Sequence, residues 1–262
     1  MDGLNAREQA GWPAVDDGRS RRASAFIRRA FGHAVAPTRH NLGHWAVCAG
    51  MLAMELCLIV VLRDGQIYEW EQDLTRLFQK TPGRHATFDV ANFLTNTISL
   101  EFMVVFVAVV AAVAALRMYS GAFLLLLTFP VHVLAQFPKA IIERPRPSPA
   151  YPGIEGVGGY LSFPSGHAEF VISFYGLLTY LLVGRVRSRA ARWAMVAGWL
   201  GLVLTTGFAR IAMGRHWPID ILASYGIGVG VLSGLLWLHH ALQAAALEMA
   251  PTAPGGAATV DP

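Results

Sequence analysis

Residues 98–137, ISLEFMVVFVAVVAAVAALRMYSGAFLLLLTFPVHVLAQF, contain one Asp or Glu and one Lys or Arg, namely Glu101 and Arg117. Arg117 divides them into two apolar runs, Ile98–Leu116 and Gly121–Phe137. Each has the length, about 17–25 residues, that a helix needs to cross the hydrocarbon of a bilayer. Backbone amides find no water in lipid, so such runs cross as helices with every hydrogen bond made internally. Outward from this pair lie four more runs of the same kind: Trp45–Leu62, His167–Val183, Trp193–Met213 and Asp220–Leu242. The expected fold is an all-α, polytopic membrane bundle of six transmembrane helices. Pro130, Gly207, Gly226 and Gly228 fall inside runs, where neighbouring helices re-satisfy the backbone.

Composition agrees with this reading. Of 262 residues, 54% are hydrophobic and 15% charged, against roughly 25% charged in a soluble domain. That leaves too little polar surface for a cytosolic globule, and it excludes disorder for most of the chain. The expected organisation is a polar arm over 1–44, a six-span domain over 45–242 and a disordered Ala-, Pro- and Gly-rich tail over 243–262. The long arm ahead of the first run makes that run a poor signal peptide, so it is expected to be retained. Cys48 and Cys57, nine residues apart on one helix, cannot pair and offer no metal-ligand spacing.

The net charge of +4 comes from arginine, since Lys80 and Lys139 are the only lysines. The arginines are scattered among short loops and form no stripe, which argues against a nucleic-acid partner. They bear instead on topology. Twelve Lys and Arg fall on the side of the N-terminal arm and nine on the other, and loop 184–192 has four arginines and no acid. Positive loops stay inside, so both termini are expected in the cytoplasm of a bacterial inner membrane. The longest outer link, 63–97, places Trp70, Leu74, Leu77 and Phe78 at helical spacing. That suits either a helix lying in the interface or an amphipathic cap on the bundle.

Charges beside membrane segments are costly and call for a reason. Lys139, Arg144 and Arg146 follow the third run, Phe163-Pro-Ser-Gly-His167 opens the fourth, Arg210 ends the fifth, and His216 and Asp220 open the sixth. Parity puts all of them on one face, the extracytoplasmic one. The chemistry fits phosphate. Lys139, Arg146 and Arg210 are fixed positive charges, and arginine grips phosphate oxygens in pairs. Ser165 is a good helix N-cap type whose helix would offer free amides to an anion, and Gly166 would allow close approach. Of two histidines, one can attack phosphorus while the other protonates the leaving oxygen. Asp220, four residues after His216, can orient that ring and stabilise its charge. Arg144 and Arg215 read equally well as anchors snorkelling to the interface. Glu169 is expected either to tune His167 or to pair with an arginine.

These residues resemble the type-2 phosphatidic acid phosphatase superfamily, which includes membrane lipid phosphatases. Its signature runs through Lys139 to Arg146-Pro147, through Pro164-Ser165-Gly166-His167, and through Arg210, His216 and Asp220. The resemblance implies that His216 is the nucleophile, oriented by Asp220, and that His167 is the acid and then the base. Lys139, Arg146, Ser165, Gly166 and Arg210 would hold phosphate, with no metal or other cofactor. It also implies inhibition by vanadate. One departure is Ala209, where the family commonly has serine; a secondary hydroxyl contact is lost there.

The implied activity is hydrolysis of a lipid phosphate or diphosphate of the undecaprenyl diphosphate, phosphatidylglycerophosphate or phosphatidic acid type. Two alternatives stand beside it. One is a lipid phosphotransferase with an alcohol acceptor. The other is a non-catalytic transporter or scaffold, for which Glu55, Glu101, His132 and Glu169 are the only polar candidates within the spans, and these form no continuous path.

Overall fold

The computed structural model describes residues 18–97 and 99–250, and these contain helices and no strand. They divide into two compact units, one within residues 37–239 and one formed by residues 18–36 with 240–250. In the smaller unit α1 (Gly18–Val35) is tied by His33 Nε2 to Glu248 Oε1 at 2.9 Å, with Arg29 donating to the Glu248 carbonyl at 3.3 Å. Residues 1–17 and 251–262 of the expected arm and tail lie outside the described residues.

The larger unit begins with α2 (Arg39–Leu62), which starts where Thr38 accepts the Asn41 amide at 3.2 Å. Then come α3 (Glu69–Gln79), α4 (Arg84–Thr95), α5 (Leu100–Ala115), α6 (Tyr119–Ala135), a 3-10 turn (Phe137–Ala140), α7 (Gly166–Val183), α8 (Arg189–Ala212) and α9 (Pro218–Met249), of which residues past 239 belong to the smaller unit. Five stretches, α2, α6 with its 3-10 turn, α7, α8 and α9, are long and apolar enough to cross a membrane. The pair α4 and α5, bent by 53°, makes a sixth when counted as one broken span. The chain is a multi-pass membrane protein.

Two differences from the sequence reading have physical causes. The second run is preceded by a further helix, α4, which the sequence hides because Asp89, Asn92 and Asn96 dilute the hydropathy there. The last helix runs to Met249, not Leu242, because the alanines of Gln-Ala-Ala-Ala-Leu are the best helix formers and no glycine or proline intervenes before Pro251.

Helix α7 lies at the centre of the larger unit, with Ala168, Phe170, Val171, Phe174 and Leu177 buried. Phe102 and Phe106 of α5 pack on Phe170 and Phe174, with ring centroids 5.3 and 5.2 Å apart. Close helix approach is the main packing resource inside lipid. Gly228 of α9 supplies it, since a Cβ there would come within 2.8 Å of both Ile172 Cβ and the Glu169 carbonyl. Trp199 of α8 and Tyr225 of α9 spend their polar ends on helix carbonyls, Val171 at 3.1 Å and Val203 at 2.6 Å. The result holds the start of α7, the end of α8 and the start of α9 together at one end of the bundle.

Candidate active site

The polar end is built on the loop 141–165. Its two arms lie side by side: the Arg146 amide donates to Gly159 O at 2.8 Å, Gly158 to Pro147 O at 3.0 Å and Ser162 to Arg144 O at 3.0 Å. This hairpin-like pairing carries Ser162 against α9. Gly214, at φ +59°, turns the chain from α8 into His216 and packs so tightly on Glu155 and Gly156 that a side chain there has no room.

His216 is buried, and its Nδ1 lies 2.6 Å from the carbonyl oxygen of Ser162. A carbonyl only accepts, so Nδ1 carries the proton and Nε2 keeps its lone pair. The Asp220 oxygen nearest that ring stands 3.8 Å away. Asp220 Oδ2 instead accepts the Ser162 hydroxyl at 2.5 Å and the Trp217 amide at 2.8 Å. The aspartate thus orients the ring one step removed, through Ser162, which the sequence reading missed. Burial pushes the His216 imidazole down to about 4, with Lys139 and Arg146 adding to the fall and Asp220 opposing it. At neutral pH the ring is neutral.

Arg144 decides between the two readings open to it. It is no interfacial anchor but wholly buried. Its Nη1 meets Asp220 Oδ1 at 2.5 Å, its Nη2 meets Glu71 Oε2 at 2.6 Å, and both Nε and Nη2 donate to the Gln66 carbonyl. Burial alone would depress the guanidinium, but Asp220 and Glu71 hold it above its usual value. Burial pushes the Glu71 carboxyl upward, and Arg144 with the Tyr68 and Ile219 amides pulls it back. All three groups bonded to its oxygens are N–H donors, as a carboxylate requires.

The remaining cations surround the same space. Lys139 donates to the Pro164 carbonyl. Arg146 uses three of its five donors on the carbonyls of Tyr160, Arg215 and Leu161, leaving two for a ligand. Arg210 is held by Asn92 Oδ1 at 2.9 Å and lies 5.0 Å from the centre of the Phe88 ring. Arg215 lies 5.6 Å from that ring. Helix α4, absent from the sequence reading, thereby sets the arginine geometry.

At the start of α7 several polar atoms are buried without a partner: Ser165 Oγ, His167 Nε2, both amide atoms of Gln136, Arg210 Nε and Arg215 Nε. Such atoms are rare in a finished core and mark a place shaped for a polar ligand. Ser165 occupies the N-cap position, yet its hydroxyl makes no capping bond; its own amide donates to Ser224 Oγ at 2.7 Å. Gly166 sits where a Cβ would come within 3.1 Å of Gln136 Oε1 and His132 Cε1. His167 has Arg210, His216, His132 and Lys139 near enough to act on its charge. Gln136 is a site residue with no motif to reveal it; its only sequence signal was an amide at the end of an apolar run.

Glu169 pairs neither with an arginine nor with His167. Its Oε2 meets His132 Nδ1 at 2.5 Å, and His132 Nε2 lies 3.3 Å from Thr97 Oγ1. Ala209, where the resemblance leads one to expect serine, is buried.

The family model described as PAP2 superfamily matches residues 118–244. The chain is 31% identical over 100 residues to an undecaprenyl-diphosphatase of Sulfolobus acidocaldarius, a stretch that covers 37% of this chain and 44% of that protein. The chain therefore spans less than half the length of that curated relative. Among solved structures it is similar in fold to a transmembrane PAP2-type phosphatidylglycerolphosphate phosphatase from Bacillus subtilis. The TM-score is 0.53 at 20% identity, over 78% of this chain and 97% of the other. The order of Lys139, His167 and His216 along the chain, the helical bundle that joins them and the match over 118–244 agree in their likeness to the PAP2 superfamily, whose model this stretch matches.

Proposed function

We propose that this protein is an integral membrane lipid phosphatase that cleaves a lipid phosphate or diphosphate through a phosphohistidine on His216. The observation that carries this reading is the Ser162 carbonyl on His216 Nδ1, which leaves Nε2 as a free nucleophile within a ring of cations. Nε2 forms a bond to phosphorus as the bond to the leaving oxygen breaks. His167 gives that oxygen a proton; an anionic phosphate beside the ring favours its imidazolium form. Water then attacks phosphorus, yields a proton to His167, and the N–P electron pair returns to His216.

Lys139, Arg146, Arg210, Ser165 and the Gly166 amide hold the phosphoryl oxygens. These cations supply the stabilisation of developing charge, so the reaction needs no metal. Arg215, with an unpartnered Nε, adds a further positive group and supports a diphosphate as substrate. The arginine bias of the loops supports a site on the outer face of a bacterial plasma membrane, where a headgroup stays in water while its tail stays in lipid.

The test is phosphate release by the purified full chain in detergent with a chelator present. Undecaprenyl diphosphate, phosphatidylglycerophosphate, phosphatidic acid and a soluble sugar phosphate are compared, with His216→Ala as control. Release from a lipid by the wild type alone supports the reading. Formation of a phosphorylated alcohol in place of free phosphate selects a phosphotransferase, and silence on every lipid sinks the phosphatase.

A further inference from the structure

Three ionised groups with no exposed surface, Glu71, Arg144 and Asp220, stand in one line from α3 to α9. A pair of Arg144 and Asp220 alone would be neutral. With Glu71 as carboxylate the three carry one net negative charge. Buried charge is expensive, and an apolar trio would fit a lipid-facing bundle at lower cost. The excess charge therefore needs a use, and its position supplies one.

Asp220 fixes Ser162 through the serine hydroxyl, and the carbonyl of that serine holds Nδ1–H of His216. When Nε2 bonds to phosphorus with Nδ1–H retained, the ring becomes cationic. The groups reaching His216 from other elements are positive or neutral: Lys139 from the 3-10 turn, Arg146 from the long loop, His167 from α7, with Arg210 of α8 and Arg215 close behind. The acids that reach it are Asp220 and, through Arg144, Glu71. Glu71 Oε1 also accepts the Ile219 amide at 3.2 Å, which ties α3 to the first turn of α9, where Asp220 sits.

We infer that Glu71 is a positioning residue for the His216 nucleophile: by sharing Arg144 with Asp220 it keeps a net negative charge beside the ring and pins the turn that carries Asp220. The inference rests on the reading of His216 as nucleophile. It gives the helix of the 63–97 link a role in the chemistry.

Orthovanadate tests it without requiring turnover, since vanadium accepts the His216 Nε2 electron pair as phosphorus does. Full-length wild type, His216→Ala, Glu71→Gln, Glu71→Asp and the double variant Glu71→Gln with Arg144→Gln are titrated calorimetrically in detergent, with melting temperatures recorded. Glu71→Gln is expected to weaken vanadate by about 10-fold or more, while Glu71→Asp, which keeps the charge, stays within about 3-fold. The double variant again leaves one net negative charge, on Asp220, and is expected to regain most of the lost affinity. A purely structural role predicts a further loss instead.

Wild-type affinity in Glu71→Gln, or a double variant weaker than the single, overturns the inference. Vanadate binding that depends on His216 and Glu71 without phosphate release from any lipid would sink the lipid-phosphatase reading and leave this inference standing. Binding indifferent to His216→Ala overturns both.

Discussion

The carbonyl oxygen of Ser162 lies 2.6 Å from His216 Nδ1, whereas the carboxylate of Asp220 lies 3.8 Å from it. The aspartate acts by accepting the Ser162 hydroxyl and the Trp217 amide, so it holds the backbone that holds the ring. Asp220→Asn keeps the shape but weakens both bonds and unbalances Arg144. Turnover is expected to fall by about 10²-fold, less than where a carboxylate contacts the imidazole directly. Ser162→Ala keeps the carbonyl and loses only the hydroxyl, and the fall there is about 10-fold. Single-turnover rates on a lipid substrate check both. Equal losses of 10⁴-fold or more in Asp220→Asn would mean direct contact during catalysis.

The pH dependence follows from the buried imidazole. Its proton affinity is lowered from 6.5 to about 4, first by burial and then by Lys139 and Arg146. As the proposed nucleophile, His216 must be unprotonated, so the competent form prevails above about pH 4 and is lost as pH falls through that value. Lowering pH from 7 to 5 therefore leaves the His216 contribution to kcat/KM nearly intact. The profile is measured with the ionisation of the substrate determined separately. An acid limb centred at pH 6–7 that the ionisation of the substrate does not account for contradicts this expectation.

Gly166 supplies a test of the ligand space. A Cβ there meets Gln136 Oε1 and His132 Cε1 at 3.1 Å, so Gly166→Ala must shift the Gln136 amide. The expected result is a KM raised about 10-fold or more, with melting temperature little changed, because the α7 helix tolerates alanine well. Gln136→Ala leaves that space open and removes a donor and an acceptor; a smaller rise in KM, about 3- to 10-fold, is expected. Steady-state kinetics on one lipid substrate separate the two variants, and an unchanged KM in both removes Gln136 from the site.

How far the sequence could be read depended on the range of the interaction. The spans were legible because hydropathy is local and needs only a run of residues, as at Leu100–Ala115. The cation set and both histidines were legible because their spacing is fixed inside short motifs. What escaped was polar and non-local. Glu71 pairs with an arginine in another loop, Asn92 with Arg210 across two helices, and the Ser162 carbonyl, the partner of His216, leaves no trace in residue type. Arg144 stayed open between an anchor and a site group because sequence shows its neighbours along the chain, not the two carboxylates it meets.

Glu169 and His132 illustrate the same point inside the bundle and yield the last test. Glu169 is fully buried, His132 nearly so, and the Phe170 ring packs edge-on to His132 at 5.1 Å. Glu169→Ala leaves the imidazole facing helix interior with only Thr97 beside it, and an orphaned polar group there costs about 2–4 kcal/mol. The double variant Glu169→Leu with His132→Leu removes both polar groups, and apolar side chains suit that interior. It is expected to melt within a few degrees of the wild type, well above Glu169→Ala. Vanadate affinity should change by less than about 3-fold in the double variant, because neither side chain makes a bond to His167, His216 or the cations. Thermal unfolding in detergent and vanadate titration read these two effects apart. A double variant as unstable as the single would show that the pair is needed as an ion pair, and a large loss of vanadate affinity would place His132 in the site, reached through Gly166.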